Sequence, residues 1–249
     1  MRTALITLLF CTAFLSSFAM TTPPSDGRLY EMRVYYSPQG KFPDILARFR
    51  NHTTKLFEKH GMTNVGYFTP LDNPDSCLIY FLSYPNKAAR DSSWKAFGAD
   101  PEWKKVVAES EKNGKIVSRV ESYFLHTTDY SPALQIDQKG NRVFELRTYK
   151  TTPYNLGLLN ARFRNHTVKL FEKHGMTNLI YWTRDNADDY LVYLLAHKNK
   201  AAGLASFGSF VKDPGWVAAK SASETLGGGP ITESIRSVYM VPTDFSPLK

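Results

Sequence analysis

Hydrophobic and polar residues alternate along residues 30–36, a period of two that is typical of a β-strand with two different faces. The next segment has apolar residues at helical spacing, with Pro43 suited to the first turn of a helix and Gly61 to its end. Asn86 and Asp100 are each placed to cap a later helix. The predicted elements are a strand over 30–36, a helix over 43–60, strands over 65–69 and 78–84, helices that begin after 86 and 100, and a strand over 116–125.

The segment 47–64, which covers most of the first predicted helix, recurs almost unchanged at 161–178. The two segments differ at one position, where Thr54 of the first corresponds to Val168 of the second. The flanking elements recur in the same order, which indicates a tandem duplication.

The two copies span residues 28–132 and 142–247, and the polar stretch 133–141 joins them. The order of elements in each copy, βαββαβ, predicts an α+β ferredoxin-like unit. Helices cover one face of such a sheet, and its other face needs a cover that the second copy can supply. We therefore expect the two tandem units to pack sheet to sheet and to enclose a shared interior.

The N-terminal segment 1–19 has a short positive start, an apolar run and small residues at its end, a pattern that predicts a secretory signal peptide. Cleavage after Ala19 would leave Met20 as the first mature residue. No other stretch reaches the ~20 apolar residues that a membrane span needs. We therefore expect a secreted or periplasmic protein without a membrane span.

The composition narrows the possible chemistry. Lys and Arg number 31 against 23 Asp and Glu, which gives a net charge of +8, but the basic residues are scattered and no nucleic-acid-binding motif is present. The two cysteines, Cys11 and Cys77, exclude a disulfide scaffold and a Cys-rich zinc module. No histidine spacing typical of a zinc site occurs, so we expect neither a metal nor a cofactor. An acidic surface or an anionic small molecule is the simplest partner of such a charge.

Several motifs together resemble the NIPSNAP family, and both copies carry them. In the first copy they are the strand at 30–35, the helix end Lys59-His60-Gly61, the turn Asp100-Pro101-Glu102-Trp103 and the closing segment Thr128-Asp129-Tyr130-Ser131-Pro132. The resemblance implies the dimeric α/β-barrel superfamily, here folded within one chain. That superfamily includes cofactor-poor monooxygenases, isomerases and haem-handling enzymes, so the resemblance implies a fold more firmly than a reaction.

The first strand of each copy carries a set of polar candidates on one face, because side chains alternate along a strand. We expect Tyr30, Met32 and Val34 to point toward the helices and the polar face to line the space between the two sheets. There the polar set would bind an anion or act as acid and base, or its Glu and Arg would pair across the interface and fix its geometry. The candidates are Glu31, Arg33 and Tyr35 in the first copy and Glu145, Arg147 and Tyr149 in the second.

The repeated helix supplies the histidine candidates. On a regular helical wheel His52 lies at the edge of the inward stripe, so His52 and its equivalent His166 are predicted to line a cleft between sheet and helices. His60 and His174 lie in the last helical turn, where a structural role is favoured.

The leading hypothesis is a protein that binds a small organic ligand in a cleft of the barrel, as a monomer or a homodimer. Two alternatives stay open: a cofactor-independent monooxygenase or isomerase that uses His52 or His166, and a scaffold for protein interactions. Whether the protein is an enzyme is left open by the sequence.

Overall fold

A computed structural model describes residues 26–137, 140 and 142–249 of the chain. The predicted signal peptide, 1–19, lies outside the described residues. In the first copy the elements are β1 (Leu29–Tyr36), α1 (Phe42–Arg48), a π-helical segment (Phe49–Thr53), α2 (Thr54–Lys59), β2 (Thr63–Pro70), β3 (Cys77–Tyr84), α3 (Lys87–Ala99), α4 (Pro101–Ser110) and β4 (Arg119–Thr127). In the second copy they are β5 (Val143–Thr151), α5 (Leu156–Arg162), a π-helical segment (Phe163–Thr167), α6 (Val168–Lys173), β6 (Thr177–Arg184), β7 (Tyr190–His197), α7 (Lys200–Phe210), α8 (Pro214–Leu226) and β8 (Thr232–Pro242).

The predicted helix caps are present. The side chain of Asn86 accepts a hydrogen bond from the backbone N–H of Ala89 at 2.9 Å, at the start of α3. Asp100 accepts one from the backbone N–H of Glu102 at 2.8 Å, with Pro101 at the first position of α4. These side chains satisfy N–H groups that have no partner inside the helix, which fixes where α3 and α4 begin.

Eight strands form one closed barrel in the order β1-β3-β2-β8-β5-β7-β6-β4. Two antiparallel seams join the copies: β2 pairs with β8 over residues 68–70, and β4 pairs with β6 over residues 125–127. The remaining strand pairs lie within one copy. The expectation that two homologous units close a barrel within one chain is therefore confirmed.

The closing segment of each copy lies on the other copy. After β4, the backbone N–H of Thr128 donates to the carbonyl of Tyr181 at 2.9 Å, and the Ser131 hydroxyl accepts from the N–H of Tyr181 at 3.0 Å. After β8, Thr243 and Ser246 make the same two bonds to Tyr67 at 2.9 and 3.0 Å. This reciprocal exchange holds the two copies together next to the two seams.

Three apolar clusters fill most of the molecule: one inside the barrel and one between sheet and helices in each copy. We call the end of the barrel where β1 and β5 begin the closed end, because aromatic rings fill it. Phe81 stacks on Trp182 at 5.3 Å between ring centroids, and Phe68 contacts Phe144 at 4.9 Å. Each helix in the described part of the chain is too short or too polar to cross a membrane.

Candidate functional site

The polar face of β1 points to the helices, so the expectation that it lines the space between the two sheets is wrong. Glu31 is fully buried and accepts hydrogen bonds from Arg90 and Trp94, both on α3. Tyr30, Met32 and Val34 belong to the cluster inside the barrel instead. The alternation along β1 predicted two different faces, but it did not show which one contacts the helices. Both faces are covered in the structure, and the ionised Glu31 lies on the face where cationic partners are available.

The hydrogen bonds of Glu31 are made within its own copy, so the alternative of Glu and Arg pairs across the interface is also wrong. Arg33 donates to the Glu31 carboxylate at 2.5 Å, Arg90 at 2.7 and 3.0 Å, Trp94 at 3.0 Å and Ser122 at 2.7 Å. Burial by itself raises the pKa of Glu31, but the hydrogen bonds from Arg90 and the charge of Arg33 outweigh it and lower the pKa to about 2. A carboxylate with this many donors is ionised and structural.

The equivalent cluster in the second copy has different partners. Glu145 accepts from Arg147 at 2.7 Å, pairs with His197 at 2.8 Å and accepts from Ser237 at 2.6 Å. Gly203 stands at the position of Arg90, and a Cβ there would lie 3.0 Å from the ring of Tyr239.

The aromatic candidates Tyr35 and Tyr149 also belong to the layer between sheet and helices. Tyr35 packs edge-on against Phe49 and Tyr80, with ring centroids 5.6 and 5.2 Å away. Tyr149 packs against Phe163 at 5.7 Å in the same way. Both rings therefore pack against the cores between sheet and helices.

His52 and His166 are exposed on the outside of the molecule, so the prediction that they line a cleft is wrong. The reason is the π-helical segment, in which the N–H of Thr54 bonds to the carbonyl of Phe49, five residues back. The rotation per residue is smaller there than on a regular wheel, which turns His52 away from the sheet.

His60 and His174 have the structural contacts predicted for them. The Nε2 atom of His60 lies 2.7 Å from the carboxylate of Asp100, which caps α4, and that of His174 lies 2.8 Å from Asp213, which caps α8. Each histidine therefore ties the end of one helix to the start of another.

A cavity of about 630 Å³ opens at the end of the barrel opposite the aromatic rings, which we call the open end. Its wall contains apolar side chains from both copies, among them Met32, Ile79, Leu146 and Val192. Polar side chains surround the mouth: Tyr36, Asp72, Asp75, Glu121, Tyr123, Lys150, Arg184, Tyr190 and Arg236. Side chains of both copies line the cavity.

The seams explain why this end is open. Beyond the seams, residues 119–124 of β4 and 232–239 of β8 pair with a neighbouring strand on one side, in β1 and β5 respectively. Single backbone hydrogen bonds tether the loops beside them: the N–H of Leu71 donates to Tyr239 and that of Asp185 to Phe124, both at 2.8 Å. The wall is therefore least continuous at the open end.

One side of the mouth is internally neutralised. Arg119 pairs with Glu121 and lies 3.6 Å from the centroid of the Tyr36 ring. Tyr36 and Tyr123 each donate a hydroxyl hydrogen bond to Glu121, at 3.2 and 3.0 Å. The negative charge of Glu121 is thus balanced by an ion pair with Arg119 and by two tyrosine hydrogen bonds.

Cys77 lies in the wall of the same cavity and is buried. Burial and then the carboxylate of Asp75 raise the pKa of the Cys77 thiol, and the smaller opposing effect of Arg236 does not reverse this. The thiol is therefore neutral near pH 7 and serves as a small polarisable wall group.

The residues of the open end were missed from the sequence, although one signal was available. Within a duplicated chain, Tyr36 of the first copy corresponds to Lys150 of the second, and Glu121 corresponds to Arg236. Charge changes between equivalent strand positions stand out against the near identity of the repeated helix.

Among the residues that the structure describes, no group of three metal-ligating side chains could hold a metal ion.

The NIPSNAP family model matches residues 30–132 and again 144–247. The chain is 25% identical to the mouse protein NipSnap homolog 3B over 252 aligned positions, and the alignment covers 100% of this chain and 97% of the mouse protein. It is 26% identical to human NipSnap homolog 3A over 237 residues, 94% of this chain and 91% of the human protein.

Among solved structures, a putative monooxygenase from Fusobacterium nucleatum subsp. nucleatum matches with a TM-score of 0.59 and 12% identity, over 86% of this chain and 92% of the other. That likeness shows the fold alone. The two matched segments of the family model, which together take in both copies, show that this chain belongs to the NIPSNAP family.

Proposed function

We propose that this protein binds a small organic molecule in the cavity at the open end of the barrel. The observation that carries the proposal is the cavity itself, about 630 Å³ of space lined by strands of both copies, with an apolar wall and a polar mouth. Ligand pockets of proteins are usually of this size and combine an apolar lining with a few polar groups.

The rest of the molecule supports this location because its other layers are filled. Between sheet and helices, Phe49 contacts Tyr67 at 5.7 Å and Tyr80 at 5.2 Å, and Phe163 contacts Tyr181 and Tyr193 at 5.8 and 5.3 Å. The binding place therefore differs from the cleft expected from the sequence, while the class of ligand stays a small organic molecule.

The apolar wall of the cavity also limits how tightly a ligand can bind through apolar contact. Burying about 200 Å² of apolar ligand surface would contribute about 5 kcal/mol at ~25 cal/mol per Å². Association costs offset part of this gain, so apolar contact alone supports weak binding and polar contacts must supply the remainder.

The neutral fluorescent probe N-phenyl-1-naphthylamine tests the proposal with the wild-type chain and two tryptophan variants. Thr148→Trp places an indole on the inward face of β5, in the wall of the cavity. Ile235→Trp places the same ring on the exposed face of β8 and serves as the matched control.

We expect saturable binding of one probe per chain, at least tenfold weaker binding in Thr148→Trp, and unchanged binding in Ile235→Trp. Thermal melts of both variants report whether they fold. Absence of saturable binding to the wild type, or equal binding to a folded Thr148→Trp, would contradict the proposal.

We also propose that residues 1–19 direct the chain to the secretory pathway. The support is the positive start, the apolar run over 4–15, and the small residues Ser17 and Ala19 before the expected cleavage point. Expression in a bacterial host, followed by mass spectrometry of the intact chain, should give a protein that begins at Met20. A full-length chain recovered from the cytoplasm would contradict this.

A further inference from the structure

The cationic groups at the mouth of the cavity differ in whether a carboxylate already binds them. Arg119 pairs with Glu121, and Lys150 pairs with Glu233 at 2.8 Å. Arg184 and Arg236 have no carboxylate or hydrogen-bond acceptor among the residues that the structure describes.

Arg184 is held by aromatic rings instead. Its guanidinium carbon lies 4.2 Å from the centroid of the Tyr123 ring and 4.7 Å from that of Tyr190. Contacts with ring faces orient the planar group but do not satisfy its N–H donors, which lie in its own plane. The side chain is therefore positioned while its hydrogen-bonding capacity stays open.

The two copies contribute opposite charges to the cavity lining. Each acidic residue of the described lining, namely Asp72, Asp75 and Glu121, comes from the first copy. Each basic residue, namely Lys150, Arg184, Lys200 and Arg236, comes from the second. A ligand with one charged group would therefore enter in a defined orientation.

We propose that the ligand is an amphipathic anion, with an apolar body in the barrel and a carboxylate or similar oxyanion bound by Arg184, with Arg236 in support. This inference rests on the function proposed above and adds the chemical class of the ligand. An oxyanion matches the paired donors of a guanidinium, and its apolar part matches the wall formed by Met32, Ile79 and Val192.

A cation fits the same mouth less well. The acidic group nearest the aromatic contacts, Glu121, already pairs with Arg119 and accepts two tyrosine hydroxyls. Asp72 and Asp75 are exposed on the loop between β2 and β3, where water solvates them. Arg184 and Arg236 would repel a cationic ligand that entered between them and the apolar wall.

The test compares octanoate and octan-1-ol, which share a chain length and differ in charge. Each displaces N-phenyl-1-naphthylamine from the wild type, from Arg184→Gln and from Lys169→Gln. Lys169 is exposed on α6, outside the cavity, so its variant removes one positive charge without changing the site.

We expect octanoate to displace the probe from the wild type at a concentration at least tenfold below that of octan-1-ol. In Arg184→Gln this ratio should fall to about one, with each displacement referred to the probe affinity measured for that variant. In Lys169→Gln the ratio should stay at the wild-type value. Arg184→Lys should keep part of the preference, because an ammonium retains the charge but loses the paired geometry.

The outcomes separate the two proposals. If both compounds displace the probe equally from the wild type, or if the preference survives in Arg184→Gln, the anion inference is overturned and the binding function stands. If the probe does not bind saturably to the wild type, the binding function fails.

Discussion

The repeated helix and the open end of the barrel show opposite relations between the two copies. The helix segments 47–64 and 161–178 agree at seventeen of eighteen positions. At the open end, equivalent positions carry different chemistry, as in Pro70 against Arg184 and Glu121 against Arg236. The difference follows from what each region contacts.

Each repeated helix binds the closing segment of the other copy, and the two contacts are equivalent. Arg50 donates to both carboxylate oxygens of Asp244 at 2.6 and 2.7 Å, and Arg164 does the same to Asp129 at 2.7 and 2.6 Å. Because the two closing segments make the same contact, the two helix surfaces that bind them carry the same residues. The cavity, in contrast, is one space shared by both copies, and a single ligand without twofold symmetry favours walls that differ.

The buried carboxylates give the largest expected difference between the copies. Glu31→Ala would leave the largely buried Arg33 without its carboxylate partner and Arg90 with Asp91 alone. We expect it to lower the free energy of unfolding by about 3–5 kcal/mol. Glu145→Ala leaves one arginine, Arg147, without this partner where Glu31→Ala affects two, so its loss should be smaller.

Urea denaturation of both variants measures this difference. Glu31→Gln, which keeps the shape and loses the charge, is the control for packing. Equal losses for Glu31→Ala and Glu145→Ala would contradict the assigned difference between the clusters.

Glu31 should contribute to the pH dependence of stability. Its pKa is about 2 in the folded chain against 4.5 for the free side chain, so the folded state favours the ionised form. The contribution, about 3 kcal/mol, is fully present above pH 4.5 and is lost as the pH falls toward 2. Urea titrations between pH 7 and pH 3 should show the loss, and a wild-type slope that persists in Glu31→Gln would argue against Glu31 as its source.

The reciprocal closing segments should give equal effects of intermediate size. Ser131→Ala and Ser246→Ala each remove the acceptor of a buried backbone N–H, of Tyr181 and Tyr67 respectively. We expect each to cost about 1–3 kcal/mol, because an unsatisfied buried donor is costly. Chemical denaturation of the two variants side by side tests the equivalence, which a difference above about 1 kcal/mol would disprove.

The exposed histidines should give the smallest effect. The double variant His52→Ala and His166→Ala should change stability by less than about 0.5 kcal/mol, because both side chains lie in solvent. Its binding of N-phenyl-1-naphthylamine should equal that of the wild type. A loss of probe binding would return these histidines to the list of site residues.

The sequence predicted the starts of helices well where the signal lies in neighbouring residues. Asn86 and Asp100 mark helix starts because a cap acts within three residues of itself. The last strand of the first copy begins at Arg119 rather than at 116, because Ile116 packs into the cluster between sheet and helices before the strand starts. The candidate site was predicted poorly. The strand period separates the two faces of β1 but does not show which of these covered faces contacts the helices, so Glu31 was misplaced. The regular helical period does not hold in the π-helical segment, so His52 was misplaced.

The sequence by itself determined the duplication, the βαββαβ order of each copy, the family and the closure of two units into one barrel. Those features follow from repeated motifs and from the need to cover an apolar sheet face. Only the tertiary structure decided that Glu31 faces the helices, that His52 faces solvent and that Arg184 stands unpaired beside a cavity. The physical reason is that charges and cavities depend on partners far apart in the chain: Arg90 lies 59 residues from Glu31, and Arg184 meets Tyr123 across the junction of two copies.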